Sequence, residues 1–239
     1  MFAGEIKQLW RYPIKGLRGE SLRSAVIDFD GMAGDRILEL KEPGGDKSLW
    51  GGSHPKMMAW EAAWPAQCGC ADAVAGDPVL YEPSGAAWAA DDAGLPARLA
   101  ESIDAEKGVE LRKVDREYGR VLVVFEASVR RLGEELGREV ETLRFRPNVI
   151  VDADLEPYAE VDLPPGTPIR LGGHEFTLQK PCERCVLPSW DPNGANVRDK
   201  DLHRHIVKEL GNHFGIYLRI AEKATVAVGD AITAQPLPR

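Results

Sequence analysis

Residues 169–192 read Ile-Arg-Leu-Gly-Gly-His-Glu-Phe-Thr-Leu-Gln-Lys-Pro-Cys-Glu-Arg-Cys-Val-Leu-Pro-Ser-Trp-Asp-Pro. From Ile169 to Leu178 the pattern is that of a β-hairpin. Gly172-Gly173 forms a two-residue turn, because adjacent glycines accept the positive φ that such turns need between twisted strands. Working outward, further short β-compatible runs appear. Ile6–Tyr12 ends at a proline, which holds the preceding residue extended. Leu22–Phe29 stops at Asp30-Gly31, and Arg36–Lys41 runs into the Gly44-Gly45-Asp46 turn. Met57–Ala63, Val79–Tyr81, Val109–Val114, Val121–Phe125, Pro147–Val151, Phe214–Ile220 and Thr225–Thr233 complete the set. Three segments read as helices. Ala97–Glu106 follows a loop, rich in Ala, Gly, Asp and Pro, over 83–96. Glu126–Val140 carries Val129, Leu132, Leu136 and Val140 on one stripe, with Ser128 as a candidate cap. Asp199–Leu210 carries Leu202, Ile206 and Leu210, with Gly211 suited to close it. Many short strands and few helices predict a mainly β (α+β) fold of barrel or sandwich type, with too few helices for a doubly wound sheet.

Composition narrows the class. The chain has 239 residues, 44% hydrophobic and 28% charged, the balance of a globular protein with a real core. Thirty Lys and Arg against 38 Asp and Glu give a net charge of −8, which argues against a nucleic-acid binder. The longest apolar run, Val121–Phe125, falls far short of the roughly 20 residues that span a bilayer. The N-terminus has no apolar signal region. These features predict a cytoplasmic, monomeric protein with no membrane partner.

Four cysteines make no disulfide scaffold. Cys182 and Cys185 flank Glu183-Arg184 in a loop after a strand. Positive charge beside a thiol favours the thiolate, a better nucleophile and soft-metal ligand. The alternative is two cysteines that pack as small hydrophobes. Cys68-Gly69-Cys70 could join them in a four-thiolate zinc site, but the CxC spacing and the long separation make an incidental role the better reading. Arg144-Phe145-Arg146-Pro147-Asn148 sets two guanidinium forks and an amide at a strand mouth, a cluster suited to an anion or to ordinary surface ion pairs. Lys15 sits in a glycine-containing loop after the first strand, and Asp35-Arg36 opens the third. Dinucleotide, P-loop, zincin and nucleophile-elbow motifs are all missing. His203 and His205 point in different directions from one helix and read as surface positions.

Taken in order, these segments resemble the MOSC family. Residues 9–40, from Leu-Trp-Arg-Tyr-Pro-Ile-Lys-Gly to Gly-Met-Ala-Gly-Asp-Arg, resemble its N-terminal β-barrel module. Glu126-Ala127-Ser128, Phe145-Arg146-Pro147-Asn148, Arg184-Cys185 with Asp191-Pro192, Phe214-Gly215 and Val228-Gly229-Asp230 resemble the MOSC domain. The resemblance implies an N-terminal β-rich module over 1–106 and a MOSC β-barrel over 107–239. It also implies a molybdenum cofactor (molybdopterin) and kinship with amidoxime-reducing enzymes. These reduce N-hydroxylated or N-oxide small molecules with electrons from a separate flavoprotein or ferredoxin. Carried over, Cys185 would ligate molybdenum and Asp191 would help supply protons. Lys15, Arg36, Arg146, Asn148 and Ser189 would hold the cofactor. At Pro188-Ser189 the family commonly has two hydroxyl residues. The alternative expectation is a sulfur carrier or transferase using a Cys185 persulfide in metal-sulfur cofactor assembly.

Overall fold

Gly172 and Gly173 take φ values of +57° and +85°. They join Pro168–Leu171 and His174–Glu183 in an antiparallel pair with Leu171 opposite His174. The structure, a computed structural model, describes residues 2–65, 76–114, 119–194 and 197–234; Cys68 and Cys70 lie outside them. From the hairpin the ladder continues on both sides until it closes. His174–Glu183 pairs with His213–Arg219, which pairs with Val121–Phe125. That strand runs parallel to Val149–Ala153, which pairs with Phe2–Arg11. Phe2–Arg11 also pairs with Ala231–Ala234, which returns to Pro168–Leu171. The result is a closed seven-strand barrel, an arrangement that leaves no sheet edge unpaired. It takes its first strand from residues that precede the expected 106/107 division.

Period-two alternation places Val121, Val123, Phe125, Val149, Val151, Phe176, Leu178, Ile216 and Leu218 in the barrel interior. Leu122 and Val124 face outward, yet they too are buried. They pack with Phe145 and Phe214 beneath the helices Glu126–Leu136 and Lys200–Glu209. A strand covered on both faces needs apolar residues at every position; this is why 121–125 reads Val-Leu-Val-Val-Phe. Residues 14–113 supply a second core around Ile14, Leu40, Met57, Trp60, Leu95 and Leu99. Short strand pairs surround it, with Leu38–Lys41 against Glu110–Lys113 and a three-strand sheet of Glu61–Ala63, Val79–Tyr81 and Ala87–Ala89.

Several local expectations are corrected. The 83–96 segment contains the Ala87–Ala89 strand, and 55–59 is a 3-10 turn rather than the start of a strand. The second helix stops at Leu136 because Gly137 turns left-handed, at φ +67°. Thr225–Thr233 is two strands in different sheets, Ala224–Ala227 with Ser24–Asp28 and Ala231–Ala234 in the barrel. His205 is half-buried and holds Glu135 at 2.8 Å, tying two helices together.

Ser128 does not cap its helix, whose N-cap is Phe125. Its buried hydroxyl donates to Glu160 Oε2 at 2.8 Å and accepts the Tyr158 N–H at 2.9 Å. Glu160 lies fully buried in the 3-10 turn Ala159–Asp162, and burial pushes its carboxyl up to about 7. An unfolded Glu titrates near ~4.3. Between these values the folded chain binds the extra proton, so this group's stabilisation is complete below the lower value. It is lost as pH rises to about 7. Glu160→Gln keeps the shape without the charge. Urea unfolding should show the variant more stable than the parent at pH 8, by up to about 3 kcal/mol, with the gap closing near pH 4.5. Parallel profiles across that range would contradict this assignment.

Candidate functional site

A cavity of about 810 Å³ opens where the barrel end meets the N-terminal segments. It gathers residues remote in sequence: Lys15, Arg36, Arg146, Asn148 and Cys185 all line it. Six cationic side chains (Lys15, Arg36, Arg120, Arg144, Arg146, Arg184) face three carboxylates (Asp30, Asp35, Glu183) in its wall. The lining is therefore cationic in a chain whose net charge is −8, and such a concavity concentrates anions.

The backbone is strained where two of the cavity's arginines are presented. Arg36 and Arg146 take φ values of +49° and +51°. This left-handed region costs a non-glycine residue about 1 kcal/mol or more. The Arg36 N–H donates to the Tyr12 carbonyl at 2.7 Å, which fixes the loop after the first strand against this turn. Arg36 then reaches across. Nη1 donates to Asp35 Oδ2 at 2.5 Å and to Asn148 Oδ1 at 3.2 Å, and Nη2 donates to the Arg146 carbonyl at 3.0 Å. Burial is the largest influence and disfavours its charge, but Asp35, Tyr12 and Tyr217 together hold its pKa above the ordinary value. Arg146 donates from Nη2 to the Leu17 carbonyl at 2.7 Å and has no carboxylate partner among the described residues. Burial lowers its pKa to about 10, so it remains a cation at neutral pH.

The Tyr12 ring is in contact with both guanidinium groups, its centre 5.0 Å from Arg36 Cζ and 4.2 Å from Arg146 Cζ. Cation–π attraction of this kind gains strength when water is excluded. Burial pushes the Tyr12 hydroxyl up to about 12, so the phenol stays neutral. Asn148 is fully buried and spent on structure: Oδ1 also accepts the Leu122 N–H, and Nδ2 donates to the Trp10 carbonyl. Lys15 is half-exposed, with Nζ 3.4 Å from Glu39. The Ser48 hydroxyl and Lys41 hold that same carboxylate.

Arg184, the positive neighbour of the two thiols in the sequence, shares the cavity wall with them and is held by main-chain carbonyls. Its fork is turned into the core, donating to the Phe214 carbonyl from Nε (2.8 Å) and Nη2 (2.5 Å) and to the Phe145 carbonyl from Nη1 (3.0 Å). It is a strut beneath the cysteine loop. Phe145 and Phe214 stack at 4.0 Å beside it. Gly215 makes room: a Cβ there would stand 2.7 Å from the Val123 carbonyl and 3.4 Å from Arg184 Nη2. Cys185 is exposed and Cys182 buried, both facing the cavity.

Ser189 and Asp191 are not among the cavity's lining residues. Ser189 is buried, and its hydroxyl donates to the Val186 carbonyl at 2.6 Å. Asp191 Oδ1 accepts the Asn193 N–H at 2.6 Å, closing the turn. Arg144 donates to the Trp190 carbonyl at 2.9 Å, binding that turn to the arginine cluster. Tyr12, against the two arginines, and Tyr217, in the cavity wall, are not singled out by the sequence because an aromatic residue within a strand ordinarily reads as core. The pairing of Tyr12 with two later arginines leaves no local signal. Among the described residues no three His, Cys, Asp or Glu side chains cluster as a metal site, and no helix is long and apolar enough to cross a membrane.

Residues 116–233 match the family model for the MOSC domain, and residues 3–87 match that for the MOSC N-terminal beta barrel domain. Among solved structures, the YUAD protein from Bacillus subtilis aligns over 97% of this chain and 97% of its own. The TM-score is 0.51 at 14% identity, a likeness of fold alone. YiiM from Geobacillus stearothermophilus aligns over 48% of this chain and 54% of its own, with a TM-score of 0.39 at 17% identity. No curated protein matches the chain.

The unequal exposure of the two described thiols has a direct readout. Brief iodoacetamide treatment of the folded protein, followed by peptide mass spectrometry, should label Cys185 and leave Cys182 unmodified until denaturant is added. Equal labelling of both under native conditions would contradict the arrangement.

Proposed function

The chain belongs to the MOSC family, whose members bind the molybdenum cofactor or act in sulfur transfer, and on that premise we propose that it is a molybdenum-cofactor reductase of N-hydroxylated or N-oxide compounds. The observation that carries this reading is the exposed thiol of Cys185 in one cavity with Lys15, Arg36 and Arg146. A soft sulfur ligand beside cationic forks suits a group that has a soft metal at one end and a phosphate at the other.

When bound, the cofactor would supply two-electron chemistry at the N–O bond, which the side chains do not possess. Cys185 would ligate the metal as a thiolate. Lys15 and the guanidinium groups of Arg36 and Arg146 would neutralise the phosphate, Arg146 most directly because no carboxylate lies at salt-bridge distance from it among the described residues. Asn148 acts one step back, orienting Arg36 through its Oδ1. Reduction of an amidoxime consumes two protons and two electrons and yields an amidine and water. Solvent reaches the exposed Cys185 and can deliver the protons, so Asp191, which is outside the lining, is not required for this step. Electrons would come from a separate flavoprotein or ferredoxin.

The test is expression in a host that makes the cofactor. Metal analysis should find molybdenum near one equivalent per chain, and the protein should reduce benzamidoxime with reduced viologen but not with NADH alone. Cys185→Ala should lose the activity. Lys15→Ala removes a half-exposed contact to a charged group and should weaken cofactor retention about tenfold, the equivalent of ~1.5 kcal/mol. A Cys185→Ala protein that keeps its molybdenum and its turnover would overturn the proposal. So would a metal-free parent carrying a +32 Da persulfide on Cys185, the outcome that belongs to sulfur transfer.

A further inference from the structure

Arg144 and Arg146 line a second cavity besides the large one. It is a small space of about 20 Å³, and Tyr12 and Arg18 also line it. The buried Tyr12 hydroxyl and the buried Arg18 Nε have no hydrogen-bond partner among the described protein atoms. Leaving buried polar groups unmatched is costly, so each such group calls for a partner.

We propose that this small cavity is a binding site for a monatomic anion, chloride in solution, held between the Tyr12 hydroxyl and Arg18 Nε. Three observations choose this ligand. First, both unmatched atoms have a hydrogen to donate; a halide accepts from each and needs no acceptor in return, whereas a water must also place its own hydrogens. Second, charge favours an anion. Arg18 is paired with Glu61 at 3.0 Å and Arg144 with Glu141 at 3.4 Å, while Arg146 has no carboxylate at salt-bridge distance among the described residues and only shares the influence of Asp35, which is paired with Arg36. One positive charge is therefore in excess at this wall, and an unpaired buried charge is costly. Third, the space is small, about 20 Å³, on the scale of one water-sized sphere.

The consequence reaches the large cavity. Burial works against the charge on Arg146, and a halide at its shared wall favours the charged form. The Arg18 backbone also exchanges hydrogen bonds with Trp60 and Ala62 at 2.8 and 2.9 Å. An anion there would bind the N-terminal segments to the arginine turn. The inference requires nothing in the large cavity and stands apart from the function proposed above.

The purified wild-type protein, as isolated, is the object of the test. Thermal unfolding is followed in titrations of sodium chloride, bromide and gluconate at matched ionic strength, gluconate being too large to enter. The midpoint should rise saturably by several degrees in chloride and bromide relative to gluconate. Tyr12→Phe, which keeps the ring against the arginines, should abolish that halide-specific rise. Crystals of the wild-type protein soaked in bromide, with data at the bromine edge, should show an anomalous peak within contact of Tyr12 Oη and Arg18 Nε. Halide and gluconate curves that coincide, a Tyr12→Phe variant that retains the rise, or ordered water with no bromine signal would each overturn the proposal.

Discussion

Arg36 joins two parts of the chain that lie more than a hundred residues apart. Its guanidinium bonds the Asn148 side chain and the Arg146 carbonyl while remaining paired with Asp35. Its neighbour Arg146 also lies against the Tyr12 ring, 4.2 Å from its centre. Like charges in one buried place repel, and two things offset that here. One is the Asp35 carboxylate; the other is the aromatic quadrupole of Tyr12, which presents negative faces to both cations. The rest of the site follows from this junction. It fixes the N-terminal loop that carries Lys15, and it orients the turn that carries Arg146.

The barrel supplies the rigidity on which the junction stands. Closure removes free edges, and the strand at 121–125 is covered on both faces, so the loops at this barrel end start from fixed positions. Arg184 extends that rigidity to the cysteine loop through its hydrogen bonds to the carbonyls of Phe145 and Phe214. Loops on a stiff scaffold are a common setting for binding groups. The arrangement also concentrates the molecule's positive charge where its total charge is negative.

Much of this was legible in the sequence, and the reason is local. Gly172-Gly173 announces its hairpin because only that pair takes those φ values without strain. Val121–Phe125 stands out because burial on both faces removes every polar residue. Lys15, Arg36, Arg146 and Cys185 stand out as a set only through the ordered resemblance to a known family; taken singly, a loop lysine or a strand-end arginine reads as a solvated or ion-paired surface group. What could not be read is which way a side chain turns. Arg184 adjoins Cys185 in sequence, yet its fork enters the core. Ser128 has the residue type of a helix cap, yet its hydroxyl serves Glu160, thirty-two positions away. Asp191 and Ser189 lie within six residues of the thiol but spend their oxygens on their own turn. For Arg184 and Ser128 a partner thirty or more positions away overrides the local preference, and single-sequence patterns carry no information about such partners; for Ser189 and Asp191 the turn itself takes the oxygens.

The central claim is that the sulfur of residue 185 and the cations of the N- and C-terminal segments serve a single guest. Diffraction from cofactor-loaded crystals at the molybdenum absorption edge addresses it directly. The account predicts one anomalous peak at bonding distance from Cys185 Sγ, with the phosphate of the same molecule held by Lys15, Arg36 and Arg146. A molybdenum peak remote from that sulfur, or a phosphate bound elsewhere on the protein, would contradict it.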